Sequence, residues 1–156
     1  MGHSLGGSAA LAIGRVKSDI SCVMALESPF LYDIIVVQAN DFFWNNDEYP
    51  IPVLNIYTDG TYNKLASLSQ YQKNYKYLIT PRNDTFSIYL KGTGHFTITN
   101  LALTTPYITK VLNSMNDTKA TMDSKICLQY LNQIALAYFD CYLKSISSSI
   151  PAEFYE

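Results

Sequence analysis

Gly2-His3-Ser4-Leu5-Gly6-Gly7 sets a serine between two glycines in the G-x-S-x-G pattern of a nucleophile elbow. The chemistry such a turn serves is attack on a carbonyl carbon. The serine must stand on a strained strand-to-helix turn, and small residues two before and two after it remove side-chain clashes. The helix that follows aims its positive N-terminus at the serine, which makes the Leu5 backbone N–H the candidate oxyanion donor. A serine hydroxyl needs a base, and the chain has two histidines. His3 lies inside the elbow and points away from Ser4 in that turn. His95 remains, in the glycine-rich segment Gly92-Thr93-Gly94-His95. Two carboxylates are candidates for orienting the imidazole: Glu27, in Ala25-Leu26-Glu27-Ser28-Pro29, and Asp59, before Gly60. Each has a plainer reading, Glu27 as a solvated strand terminus and Asp59-Gly60 as a turn pair.

These groups need a scaffold, and the hydrophobic pattern supplies one. Residues 4–16 are small and apolar, suited to a helix packed close to a sheet, with Arg15 and Lys17 near the end where the helix dipole favours cations. Residues 20–26 and 51–57 are apolar on both faces, as parallel strands covered by helices must be. Residues 85–90 alternate Phe86, Ile88 and Leu90 with Ser87 and Tyr89, the pattern of a strand nearer an edge. Helical spacing predicts a helix over 63–75 from Leu65, Leu68 and Tyr71, and another over 106–115 from Ile108, Val111 and Leu112, opened by Pro106. A third runs over 123–146, capped by Asp123 or Ser124 and buried along Ile126, Leu131, Ile134, Tyr138, Tyr142 and Ile146. Strands and helices in alternation predict an α/β fold with three parallel strands. The insertion at 28–49 carries Phe30, Tyr32, Phe42, Phe43 and Trp44, which would wall an acyl pocket, form a lid or pack into the core.

Composition narrows the partners. Apolar residues make up 48% and charged residues 15%, with a net charge of −2, which leaves no electrostatic footprint for nucleic acid or an anionic membrane. No uncharged apolar run reaches the eighteen or so residues of a membrane span. Three cysteines and two histidines form no zinc-like spacing, so neither a metal nor another cofactor is expected. Cys127 and Cys141 fall on one helical pattern about 20 Å apart, too far to bridge, and Cys22 reads as a buried thiol.

The segments 2–7, 24–27, 52–57 and 92–103 together resemble the platelet-activating-factor acetylhydrolase group of the α/β-hydrolase superfamily. The resemblance covers the chain up to about residue 105. It implies ester hydrolysis through an acyl-enzyme, by a triad in the chain order serine, acid, histidine, on a small ester or lipid-like substrate. In that group the acid follows the earlier strand in a motif like Ala-Leu-Asp. This implies Glu27, with glutamate where the group has aspartate, and leaves Asp59, on the strand that carries the acid in most α/β-hydrolases, as the alternative. An acyltransferase or lipase on the same scaffold, and a non-catalytic binding module, are the competing readings.

The resemblance also implies that residues 1–150 correspond to the C-terminal half of such a domain, with Met1 the last residue of the strand that aims the serine and 151–156 an irregular tail. A form truncated there would lack the second oxyanion donor, at a typical cost of about a hundred- to a thousand-fold in rate. It would expose residues 20–26 as an apolar sheet edge, inviting self-association. The compartment is open, and the triplets at 83–85 and 116–118 fit the glycosylation pattern without deciding it.

Overall fold

The computed structural model describes residues 1–39, 41–115, 119–144 and 146. The elements run β1 (Gly2–His3), α1 (Leu5–Val16), β2 (Val23–Leu26), β3 (Ile34–Gln38), β4 (Asp41–Trp44), β5 (Val53–Tyr57), α2 (Asp59–Tyr62), α3 (Gln72–Ile79), β6 (Thr85–Tyr89), α4 (Leu101–Thr104), α5 (Pro106–Met115) and α6 (Ser124–Lys144). They divide into two compact units, Met1–Ile56 with Lys64–Ile88, and Tyr57–Asn63 with Tyr89–Glu156.

The main sheet has the order β1-β2-β5-β6. β1 pairs parallel to β2 with Gly2 opposite Ala25, and β2 pairs parallel to β5 from Val23 opposite Val53 to Leu26 opposite Ile56. β6 follows the same direction: Val53 N–H donates to Asp84 at one end, and Leu90 N–H donates to Tyr57 at the other. Every residue of β2 and β5 is buried, which explains their unbroken apolar character, whereas β6 is only partly covered. The expected α/β class and its three strands are present, and so is a fourth. Gly2 and His3 form the strand of which only Met1 was expected to remain. β2 therefore lies between β1 and β5 and is not the exposed edge anticipated for residues 20–26.

In the first unit Leu11 of α1 packs with Val23, Ala25, Phe30, Tyr49, Val53 and Tyr77. Full burial of each aliphatic or aromatic side chain contributes about 1.5–3 kcal/mol. The insertion at 28–49 divides its aromatics. Phe30 goes to the core, with ring centroids 5.4 Å from both Tyr49 and Tyr77. Phe42, Phe43 and Trp44 belong to an antiparallel hairpin, β3–β4, whose Ile35, Val36, Val37 and Phe43 are exposed. The helix expected over 63–75 is not continuous. Turns and a short 3-10 segment, Ser69–Tyr71, precede α3, which begins at Gln72. Leu65, Leu68 and Tyr71 recur every three residues, a period that fits tight turns better than the 3.6 of an α-helix.

Arg15 does not simply terminate α1. Its Nε and Nη2 donate to the two oxygens of Asp33 at 2.9 and 2.6 Å, and Lys73 of α3 pairs with the same carboxylate. Arg15 also donates to the Glu48 carbonyl at 2.9 Å and lies over the Tyr49 ring, while Lys73 donates to the Asn45 carbonyl at 2.9 Å. This trio, with Asp33 and Lys73 buried and Arg15 partly so, thus clamps the chain entering β5. Burial lowers the Lys73 pKa from its ordinary value, and the Asp33 carboxylate opposes that shift.

In the second unit α6 starts where its cap predicts, with Asp123 Oδ1 accepting the N–H groups of Lys125 and Ile126. Its buried stripe is Cys127, Leu131, Ile134 and Tyr138, so the stripe begins one residue after Ile126, which is 45% exposed. Burial pushes the Cys127 thiol up to about 11, an inert group. α5 reverses expectation more sharply. Thr109 and Asn113 are its buried residues, while Ile108 and Val111 face outward. The expected tail at 151–156 and the triplet at 116–118 lie outside the described residues. Among the described residues no helix is long and apolar enough to cross a membrane.

Candidate functional site

Ser4 joins β1 to α1 with φ 55° and ψ −127°, a combination that L side chains rarely adopt. Its N–H donates to the Leu26 carbonyl at 2.8 Å, and its own carbonyl accepts from Gly7 and Ser8, which pins the turn from both sides. Two glycines are sterically required. A Cβ at Gly2 would stand 2.2 Å from the Gly6 carbonyl oxygen, and one at Gly7 would stand 1.9 Å from Ser28 Oγ. Gly6, the second glycine of the pattern, has open space where its Cβ would lie, so close approach falls on Gly2 and Gly7 instead. The Ser4 hydroxyl makes no capping bond to α1. Leu5 opens the helix, so its N–H is a first-turn amide without an intrahelical acceptor.

A strained backbone at Ser4 has a measurable signature. At ordinary positions glycine is about 0.5–1 kcal/mol less stable than alanine. At position 4 we expect the reverse, with Ser4→Gly more stable than Ser4→Ala by about 1 kcal/mol, because only glycine relieves a positive φ. Urea midpoints of the two variants check this, and the ordinary order would remove the case for strain.

Glu27 stands beside Ser4 on the neighbouring strand end, one residue past Leu26, and is 2% exposed. It too has a positive φ, 53°. Its N–H donates to Ile56, and the next three carbonyls are each bound by a buried side chain. Tyr71 Oη donates to Glu27 at 2.9 Å, Asn74 Nδ2 to Ser28 at 3.0 Å, and Ser8 Oγ to Pro29 at 2.7 Å. The solvated strand terminus is thus excluded for Glu27.

Asp59 and His95 belong to the second unit. Asp59 opens α2, and its Oδ1 accepts from Tyr89 Oη at 2.8 Å and from Gly92 N–H at 2.9 Å. Burial first, and this carboxylate second, raise the Tyr89 phenol above its usual pKa. Asp59 therefore ties α2 to the loop that follows β6. On that loop His95 is half-buried, its ring 5.0 Å from the Phe96 ring in an edge-on contact. Gly92 is anchored by Thr121 and Met122, whose N–H groups donate to its carbonyl at 2.8 Å. Two cavities lie on other residues, one of about 370 Å³ beside Trp44, Lys73 and Arg82, the other of about 560 Å³ beside Thr109 and Asn113.

A sequence model of the family of platelet-activating factor acetylhydrolase, isoform II, matches residues 1–147. The chain belongs to this family. As an acetylhydrolase family member it is a hydrolase in kind, and the match runs from β1 through α6, taking in residues of both units. No curated protein matches the chain. Within this acetylhydrolase-family chain several polar residues around the site escaped the sequence reading. Tyr71, Asn74 and Ser8 hold the strand end that carries Glu27, and Asn113 and Thr97 hold the loop that carries His95. For Asn113 a signal existed: with Thr109 it forms an i, i+4 polar pair on α5, which the apolar residues of that helix obscured.

Proposed function

We propose that the chain is a serine carboxylic-ester hydrolase acting through an acyl-enzyme, with Ser4 as nucleophile, His95 as base and Glu27 as the acid. The observation that carries this reading is the backbone of Ser4, strained at the mouth of α1 with its hydroxyl unspent on the helix cap. Ser4 Oγ attacks the ester carbonyl carbon as His95 takes its proton. The carbonyl oxygen becomes an oxyanion facing the Leu5 N–H and the positive end of α1. Collapse breaks the ester C–O bond, and the departing alcohol receives the proton from His95. Water, deprotonated by His95, then attacks the acyl group, releasing the carboxylic acid and returning the proton to Ser4. Glu27 holds the imidazole tautomer and stabilises the imidazolium.

Glu27 is favoured over Asp59 because the Asp59 Oδ1 is engaged by Tyr89 and Gly92, whereas Glu27 stands on the strand end next to Ser4. The family's name supports a short acyl ester of a lipid-like alcohol as substrate. A fluorophosphonate probe tests the reading. Mass spectrometry is expected to find one adduct, on the peptide carrying Ser4, and none in Ser4→Ala. A folded wild-type protein that never acquires the adduct would leave a non-catalytic binding module in place of the enzyme.

A further inference from the structure

We infer that Asn113, in the middle of α5, is a positioning residue for His95, an assignment that rests on the proposed role of His95 as base. Asparagine is a poor helix former, because its amide competes for backbone partners, so its place in α5 calls for a structural return. Asn113 is 3% exposed, and both ends of its amide are used. Its Oδ1 accepts the Phe96 N–H at 3.1 Å, and its Nδ2 donates to Thr97 Oγ1 at 3.0 Å. Thr97 Oγ1 in turn accepts the Gly94 N–H at 3.1 Å, and Thr97 N–H donates to the Gly94 carbonyl at 2.9 Å.

The amides immediately before and after His95 are therefore fixed by one side chain, directly at Phe96 and through a hydroxyl at Gly94. The ring that meets the imidazole edge-on belongs to Phe96, so the same bond that holds its backbone places that contact. Nothing in this arrangement requires Asn113 to touch a substrate. It acts on the reaction by fixing where the His95 ring stands, and a misplacement of about 1 Å in such a group costs on the order of a hundred-fold in rate.

The experiment combines rates with a direct view of the ring. In Asn113→Ala the fluorophosphonate labelling rate and kcat for a p-nitrophenyl ester are expected to fall about 10- to 100-fold, with KM within about two-fold of wild type. Asn113→Asp keeps an acceptor for the Phe96 N–H and can accept from the Thr97 hydroxyl, so it is expected to restore most of the rate. Thr97→Val, nearly isosteric, removes the hydroxyl that joins Asn113 Nδ2 to Gly94, leaves the Phe96 bond in place, and is expected to slow labelling in the same direction. The chain has two histidines, so ring NMR signals of histidine-labelled protein resolve His95 from His3. The His95 signal should move or broaden in Asn113→Ala and Thr97→Val while the His3 signal stays. Unchanged labelling and an unchanged His95 signal in Thr97→Val, or in a folded Asn113→Ala, would overturn the assignment. A wild-type protein that never labels would count against the proposed function alone, because the NMR comparison still decides whether Asn113 positions the ring.

Discussion

Replacement of Glu27 by glutamine is expected to lower the rate of Ser4 acylation by about 10⁴-fold, the scale seen when a triad carboxylate becomes an amide and the histidine settles in the wrong tautomer. The change keeps the volume of a side chain that is 2% exposed, and the carbonyls at 27–29 keep their donors Tyr71, Asn74 and Ser8. The loss should therefore appear in rate and hardly in stability. Asp59→Asn is expected to behave in the opposite way. An amide oxygen still accepts from Tyr89 and Gly92, but without the charge that strengthens both bonds, so roughly 1 kcal/mol of stability and less than about ten-fold in rate are at stake. Labelling rates and urea midpoints for the two variants, measured side by side, decide between the carboxylates. A collapse of the rate in Asp59→Asn with Glu27→Gln left active would transfer the role of acid to Asp59.

Asp33→Asn is expected to cost about 3–5 kcal/mol, because it strands two cations that are 12% and 6% exposed at their side chains. That is about a fifth or more of the stability of an ordinary domain. The sign of its pH dependence follows from Lys73, whose folded pKa already lies below the ordinary lysine value. Without Asp33 that pKa falls further. The penalty is then complete at pH below the lowered folded value. It is partly relieved as pH rises from there toward the unfolded value near 10.4, since the folded state sheds the proton first. Adding Lys73→Met to Asp33→Asn should recover part of the loss at neutral pH. Chemical denaturation across pH measures both effects, and a midpoint within about 1 kcal/mol of wild type for Asp33→Asn would show that the trio is not a clamp.

Where a signal is local, the sequence carries it. The tight turn between β1 and α1, the doubly apolar strands and the Asp123 cap each depend on neighbours a few residues away, and each stands where its pattern puts it. The Arg15–Asp33–Lys73 trio joins residues 18 and 40 positions apart, a pairing that no window of periodicity contains. The shelf of donors around residues 27–29 was hidden for the same reason, since Tyr71, from the 3-10 segment, and Asn74, from α3, arrive more than forty residues on. Periodicity itself misled at 63–75, where a three-residue repeat marks turns, and on α5, where the polar side faces inward because it must hold a loop. Hydrophobicity also failed to distinguish buried from exposed in the hairpin. Ile35, Val36 and Val37, all apolar, lie at the surface.

The protein's single tryptophan, Trp44, is on that hairpin, with its indole N–H donating to Gln72 Oε1 at 3.1 Å. Intrinsic emission on excitation at the red edge thus comes from a reporter at the hairpin–α3 seam. A denaturation curve followed by that emission reads the parting of β4 from α3. The unfolding of the β1–α1 turn is followed by a second chromophore placed beside it.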